Sequence, residues 1–265
     1  MRAAAPIAVQ PFGDLSSEPL EHVRRLIARE LGATTVVLPP RPVPRAAYSP
    51  ERGQHDAELL LDALFDALPE RCLRVLGVTE ADLYITGRTF VFGYAHLSDG
   101  MALCSLARLR ESYYGRAPDD LRLEARLRRA IVHELGHTFG VPHCEARCVM
   151  HSVTHVESLD ALEADYCRLC RAKVERGIGI EPWSARGRRE RGVAWLRRGQ
   201  PRRAADLLES ALRCTPLDPA LHHELATARL AAGDRTGARA ALRRAFELYG
   251  REPELPVEES AILEG

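Results

Sequence analysis

The 265-residue chain has no excess of charge of either sign: Lys and Arg number 37 and so do Asp and Glu. A balanced chain has no global field to draw it onto nucleic acid or an anionic membrane. No apolar run approaches the roughly 18 residues that a membrane-spanning helix needs. The opening stretch carries one basic residue, is interrupted by Pro6, Gln10 and Pro11, and has no small-residue cleavage site. It reads as a first strand, not a secretory leader. Lysine is nearly absent: Lys173 stands alone among arginines, which reads as a coding bias because no chemistry requires arginine chain-wide. Cysteines are few and odd in number, seven in all, and four of them fall between Cys144 and Cys170. That pattern argues against a secreted disulfide framework and for metal ligation in a reducing compartment, so a cytoplasmic location is expected. What is present, 46% hydrophobic and 28% charged residues, suits a globular chain with a real core and excludes wholesale disorder.

Along the chain, residues 7–12 read as a strand. Residues 19–31 read as a helix, with Leu20, Val23, Leu26 and Ile27 on a helical spacing and Gly32 as its stop. The β-branched run 34–38 reads as a second strand, a proline-rich connection covers 40–53, and residues 57–68 form a second helix. Runs beginning at Leu83, Phe90 and Met101 read as three further strands. From Leu121 to Phe139, Leu123, Leu127, Ile131, Val132 and Leu135 share a helical face, with Asp119 and Asp120 at the start and Gly140 at the end. This order predicts an α+β (mixed α/β) domain over residues 1–180, a twisted mixed sheet with long helices.

Past Gly177 the composition turns to Ala, Leu and Arg and repeats at an interval of 34: Gly199 and Gly233, Ala204 and Ala238, Leu208 and Leu242, Ala211 and Ala245. That interval predicts a small all-α module over residues 181–265, similar to two tetratricopeptide repeats, with an acidic tail from Glu252 to Glu264. Arg188 and His222 stand where such repeats carry bulky residues. Two repeats also fall short of the usual three, so the module is expected to pack on the first domain, be capped by the tail or pair with another copy. It is a candidate surface for a protein partner. The arginines from Arg186 to Arg203 read as a solvated helix face rather than a nucleic-acid surface, since Trp195 is the one aromatic among them.

The helix ending at Gly140 carries His133-Glu-Leu-Gly-His137. Histidines four apart on a helix face the same way and can grip one ion, while Glu134 lies about 100° off that axis, able to reach a water on the metal without ligating it. Catalytic zinc takes three protein ligands, and His143, just past the turn at Gly140, supplies the third. Chance gives roughly 0.03 such five-residue motifs in a chain of this composition, and the added glycine and histidine lower that to roughly 10⁻⁴. Cys144, Cys148, Cys167 and Cys170 form a second set that can converge as a closed, structural zinc site; buried thiols or a redox pair at Cys167 and Cys170 are the other readings. Cys72, Cys104 and Cys214 read as core residues.

The run from His133 to Cys144, then Cys148-Val-Met150, then Cys167-Arg-Leu-Cys170, resembles the signature of the archaemetzincins, a branch of the metzincin zinc metallopeptidases. Tyr48 to Gln54 and Gly87 to Gly93 add similar context. The resemblance implies a metzincin-like catalytic domain with two zinc ions. His133, His137 and His143 would bind the catalytic ion, Glu134 would act as general base and acid on its water, and Cys144, Cys148, Cys167 and Cys170 would bind the structural ion. Met150 would floor the histidines, the strand from Phe90 to Tyr94 would edge the cleft, and peptides or proteins would be the substrates. Three residues separate Cys144 from Cys148 where the family pattern has four, which makes this pair of ligands the place to test. Tyr94 and Tyr166 are the phenols to examine as oxyanion stabilisers, and His151 and His155 read as bystanders. The alternative from another class is a zinc-stabilised scaffold with little turnover, acting through its helical module.

Overall fold

The structure, a computed structural model, describes residues 5–65, 69, 72–97, 100–179 and 184–250. The acidic tail and the end of the second helix anticipated from the sequence lie outside the described residues. The chain divides into two compact units, Met1–Ile180 and Glu181–Gly265.

The first unit is built on a five-stranded sheet. Its strands are β1 (Ile7–Phe12), β2 (Thr35–Val37), β5 (Arg74–Thr79), β7 (Gly93–Ala95) and β8 (Met101–Ser105), in the spatial order β2-β1-β5-β8-β7. All neighbours are parallel except β7, which runs antiparallel to β8 at the edge. A small second sheet joins β3 (Tyr48–Ser49), β4 (Gln54–Asp56) and β6 (Leu83–Tyr84).

Side chains alternate across the large sheet, as the two-residue period of a strand demands. Ile7, Val9, Leu76, Val78, Ala102 and Cys104 share one core with Val23, Leu26 and Ile27 of α1 (Ser17–Leu31) and with Leu127, Ile131 and Leu135 of α3 (Asp120–Thr138). On the opposite face α2 (Ala57–Phe65) covers the sheet, with Leu64 against Gly77 and Leu103. Asp119 caps α3 by accepting from the Arg122 N–H, so the helix starts where its sequence signal puts it. Shorter helices α4 (Val156–Asp160) and α5 (Arg168–Ile178) complete the unit.

The sequence pattern did not announce the central strand β5, nor the short elements β3, β4, α4 and α5. Strand β5 is buried on both faces, so it shows no polar alternation, and Gly77 interrupts its apolar run. The strand anticipated from Phe90 onward is shorter, starting at Gly93, because residues 85–92 leave the sheet to form the rim of a cleft.

Arg126 of α3 is wholly buried. Its Nε and Nη2 donate to Asp160 of α4 at 2.7 and 2.6 Å, Nη2 lies 2.6 Å from Glu111, and Nη1 donates to the Leu109 carbonyl at 2.9 Å. One guanidinium thus joins three segments around the N-terminal half of α3. Arg126→Leu should lower unfolding free energy by about 3 kcal/mol, because Glu111 and Asp160 lose their shared partner, a loss that urea denaturation will measure.

The second unit holds α6 (Ala185–Arg197), α7 (Pro201–Leu212), α8 (Pro219–Ala231) and α9 (Arg235–Tyr249). Starts of α6 and α8, and of α7 and α9, are 34 residues apart, the period read in the sequence. Ala204, Leu208, Ala211, Leu225, Ala241 and Leu242 form its core. Cys214, anticipated as a core residue, is exposed beyond the end of α7 with Arg188 Nη1 at 3.4 Å. Cys72 and Cys104 are buried in the first unit.

Candidate metal centres

Near the C-terminus of α3 the helix brings His133 and His137 to one face, and the chain turns at Gly140 (φ 77°) to return His143 beside them. The ligand nitrogens of the three rings lie within 4.8 Å of one another. His133 Nδ1 meets the Val149 carbonyl and His137 Nδ1 the Val141 carbonyl, each at 2.7 Å. A carbonyl only accepts, so each Nδ1 carries the proton and each Nε2 presents a lone pair. Those two Nε2 atoms face each other at 3.0 Å. Two converging lone pairs repel unless a cation lies between them, so the donor set fits a metal ion, and three neutral imidazoles fit catalytic zinc. Burial pushes His133 down to about 3, with the neighbouring His137 adding to it, and burial also lowers His137 and His143. The rings stay neutral at physiological pH, as ligation requires.

Glu134 is buried beside them, on the strand side of the helix. It nests against β7: a Cβ placed on Gly93 would fall 2.6 Å from Glu134 Cγ and 2.5 Å from the Leu103 carbonyl oxygen. Only glycine leaves that space, a requirement that composition and motif spacing did not reveal. Burial pushes the carboxyl up to about 8, and a cation on the adjacent imidazoles would draw it back down.

Below the histidines, Met150 is fully buried and packs against Gly136 of α3. A Cβ on Gly136 would lie 2.5 Å from Met150 Sδ and 3.1 Å from Tyr166 Cε1. Gly136→Ala should therefore cost about 1–3 kcal/mol of stability and weaken zinc binding at the histidines, read by urea denaturation and metal competition. A glycine inside a helix is itself a warning of close approach, and it was visible within the histidine motif.

Cys144, Cys148, Cys167 and Cys170 also meet, with their Sγ atoms within 4.8 Å of one another. The short spacing between the first two does not prevent this. Cys144 N–H donates to the Met150 carbonyl and His151 N–H to the Cys148 carbonyl, both at 2.9 Å, closing a tight loop around the cysteines. Cys167 caps α5, where the N–H groups of Cys170 and Leu169 draw its thiol down to about 7. Cys148 and Cys170 are raised, chiefly by burial. Four thiols meeting at one point, two of them buried, fit a structural zinc.

Other anticipated residues lie elsewhere. Tyr166 is buried and its hydroxyl donates to the Val132 carbonyl at 2.5 Å, so it braces the helix and does not face the cleft. Tyr94 lines the cleft and its hydroxyl donates to Glu58 at 3.0 Å. His151 binds the Cys144 carbonyl through Nδ1, close enough to His143 for its charge to act there, and His155 binds the Thr154 hydroxyl; neither belongs to the three-nitrogen cluster.

A cleft of about 180 Å³ lies over the histidines, walled by β7 with the preceding rim, by α3, and by Ser152, Val153, Leu159 and Leu162. The model of the family described as Peptidase family M54 matches residues 28–176, which contain both ligand clusters. The chain belongs to peptidase family M54. Its members are zinc metallopeptidases, hydrolases of peptide bonds, and this chain is one of them. The archaemetzincin of Methanocaldococcus jannaschii is 39% identical over 176 residues, which is 66% of this chain and 96% of that one. The archaemetzincin structure from Methanopyrus kandleri is 33% identical with a TM-score of 0.59, covering 68% of this chain and 98% of its own. That from Archaeoglobus fulgidus, complexed with malonate, is 31% identical with a TM-score of 0.56, covering 63% and 99%. These M54 proteins are spanned nearly end to end by about two thirds of this chain.

Proposed function

We propose that the first unit cleaves peptide bonds at the centre formed by His133, His137 and His143, with Glu134 as its proton carrier. What carries this reading is the convergence of three neutral imidazoles beside a buried carboxylate on the same helix turn. Zinc held there would supply Lewis acidity, which acidifies water and polarises a carbonyl. The carbonyls of Val149 and Val141 fix the His133 and His137 rings, so the Nε2 lone pairs are aimed before any ion arrives. Glu134 takes the proton from the attacking water and delivers it to the amide nitrogen as the C–N bond breaks. Burial raises its proton affinity and a bound cation would lower it, two opposed effects that suit a group which must both take and return a proton. Strand β7 pairs with β8 on one side only and lines the cleft, so its other edge can hold an extended peptide by backbone hydrogen bonds.

The four cysteines hold a second zinc in this reading, with a structural role. No disulfide joins the seven cysteines, in keeping with the reducing, cytoplasmic setting proposed for a thiolate-bound ion. The helical unit is proposed as a partner surface. Its arginines favour no phosphate role, since Arg186 pairs with Glu190 and Arg189 with Glu224 and Asp218.

The test is a digest of a complex peptide mixture by the zinc-loaded protein, read by mass spectrometry. New termini should appear, vanish on mild chelation and return with zinc. Absence of cleavage while the histidine site keeps its metal would overturn the reading.

A further inference from the structure

Among the described residues two cations, Arg88 and Arg129, line the cleft, and they are differently employed. Arg129 spends its guanidinium on its own surroundings, with Nε donating to the Leu162 carbonyl at 2.8 Å and Nη1 to the Ala125 carbonyl at 3.1 Å. Arg88 makes no ion pair and no side-chain hydrogen bond among the described residues, and its charge faces His143. The only carboxylate lining the cleft among the described residues is Glu134, which is buried beside the histidines against β7. No neighbour within the cleft therefore neutralises Arg88.

The backbone that carries Arg88 is held with unusual care for an exposed rim. Arg52 Nη2 donates to the Arg88 carbonyl at 3.1 Å and to the Thr89 carbonyl at 3.0 Å. Gln54 Nε2 donates to the Thr89 carbonyl at 3.1 Å and to Asp82 at 3.1 Å. Asp82 is in turn gripped by Arg108 at 2.6 and 2.8 Å, and the Arg108 guanidinium lies over the Phe90 ring at 4.0 Å. On either side, Arg88 N–H donates to the Ile85 carbonyl and Val91 N–H to the Leu83 carbonyl. A clamped backbone under a free guanidinium is the arrangement of a reader: ordering is done beforehand, and the charge is left for a ligand. Ile85, Phe90 and Val91 line the same cleft and offer apolar contact to the rest of a bound peptide.

We propose that Arg88 holds a carboxylate of the peptide substrate at one fixed place to one side of the scissile bond, and so sets a preference for acidic peptides. This rests on the peptidase reading of the histidine centre. The carboxylate can come from an Asp or Glu side chain or from the free C-terminus, and both present the two oxygens that a guanidinium fork matches.

Peptides of one sequence separate these sources: a single Glu replaced by Gln at each position on either side of the scissile bond, each peptide made as free acid and as C-terminal amide. Cleavage by the zinc-loaded protein gives kcat/KM, and fluorescence anisotropy with zinc-loaded Glu134→Gln gives affinity without turnover. The expected result is about a tenfold advantage in both for one acidic position, or for the free acid, confined to one flank. Arg88→Gln should bring that ratio near one, and Arg88→Glu should favour Lys at the same position. A wild-type protein that does not discriminate overturns the proposal, as does a preference that survives Arg88→Gln. A binding preference erased by Arg88→Gln, in a protein that cleaves none of the peptides, upholds Arg88 and overturns the peptidase reading alone.

Discussion

Replacing Glu134 by Gln is expected to lower kcat/KM for peptide cleavage by about 10²–10⁴, with zinc content unchanged. The substitution keeps shape and volume where Gly93 and the Leu103 carbonyl leave no slack, so the helix and its histidines stay in place. It removes only the capacity to accept and return a proton. Zinc is retained because the converging nitrogens belong to His133, His137 and His143. The same variant has a signature in protein whose histidine site has been stripped of metal. There Glu134 titrates near 8 in the folded state against an ordinary value of 4.5, so the folded chain binds more protons than the unfolded one between those values. Stability of the wild type should therefore fall as pH rises through that window, and Glu134→Gln should not show that fall. Equal cleavage by the two proteins would remove Glu134 from the chemistry.

Cys170→Ser should cost far more in folding than in any single chemical step. Cys148 and Cys170 are buried in the core of the first unit, alongside Val149, Met150 and Val174. Structural zinc on such a cluster contributes about 10 kcal/mol or more, comparable to the entire stability of an ordinary domain. Wild-type protein should carry two zinc ions per chain by elemental analysis. The serine variant should carry one or none and lose the cooperative unfolding of the first unit in calorimetry. A variant with one zinc and an unchanged Tm would show that the cysteine site contributes nothing to the fold.

Much of the site was legible because its chemistry is local. Four-residue spacing on a helix forces His133 and His137 together, and Gly140 returns His143 after a single turn. The cysteines come from two separated segments, yet pairs near helix α5 and the tight loop before it leave few ways to meet. What the sequence did not announce depends on contacts between distant segments. Strand β5 hides its period because both of its faces are buried. Gly93 matters only because Glu134 of α3 crosses it, and Arg126 only because Glu111 and Asp160 arrive from elsewhere. The carbonyls of Val141 and Val149, which orient the histidines, leave no mark on side-chain identity at all.

The carbonyl that fixes His133 sits between Cys148 and Met150, within the loop that the cysteines enclose. The hydrogen bond that orients His133 is therefore made by the same short loop that positions Cys144 and Cys148. A disturbance at the cysteine cluster thus has a one-residue path, through a single main-chain oxygen, to the ring that begins the histidine centre.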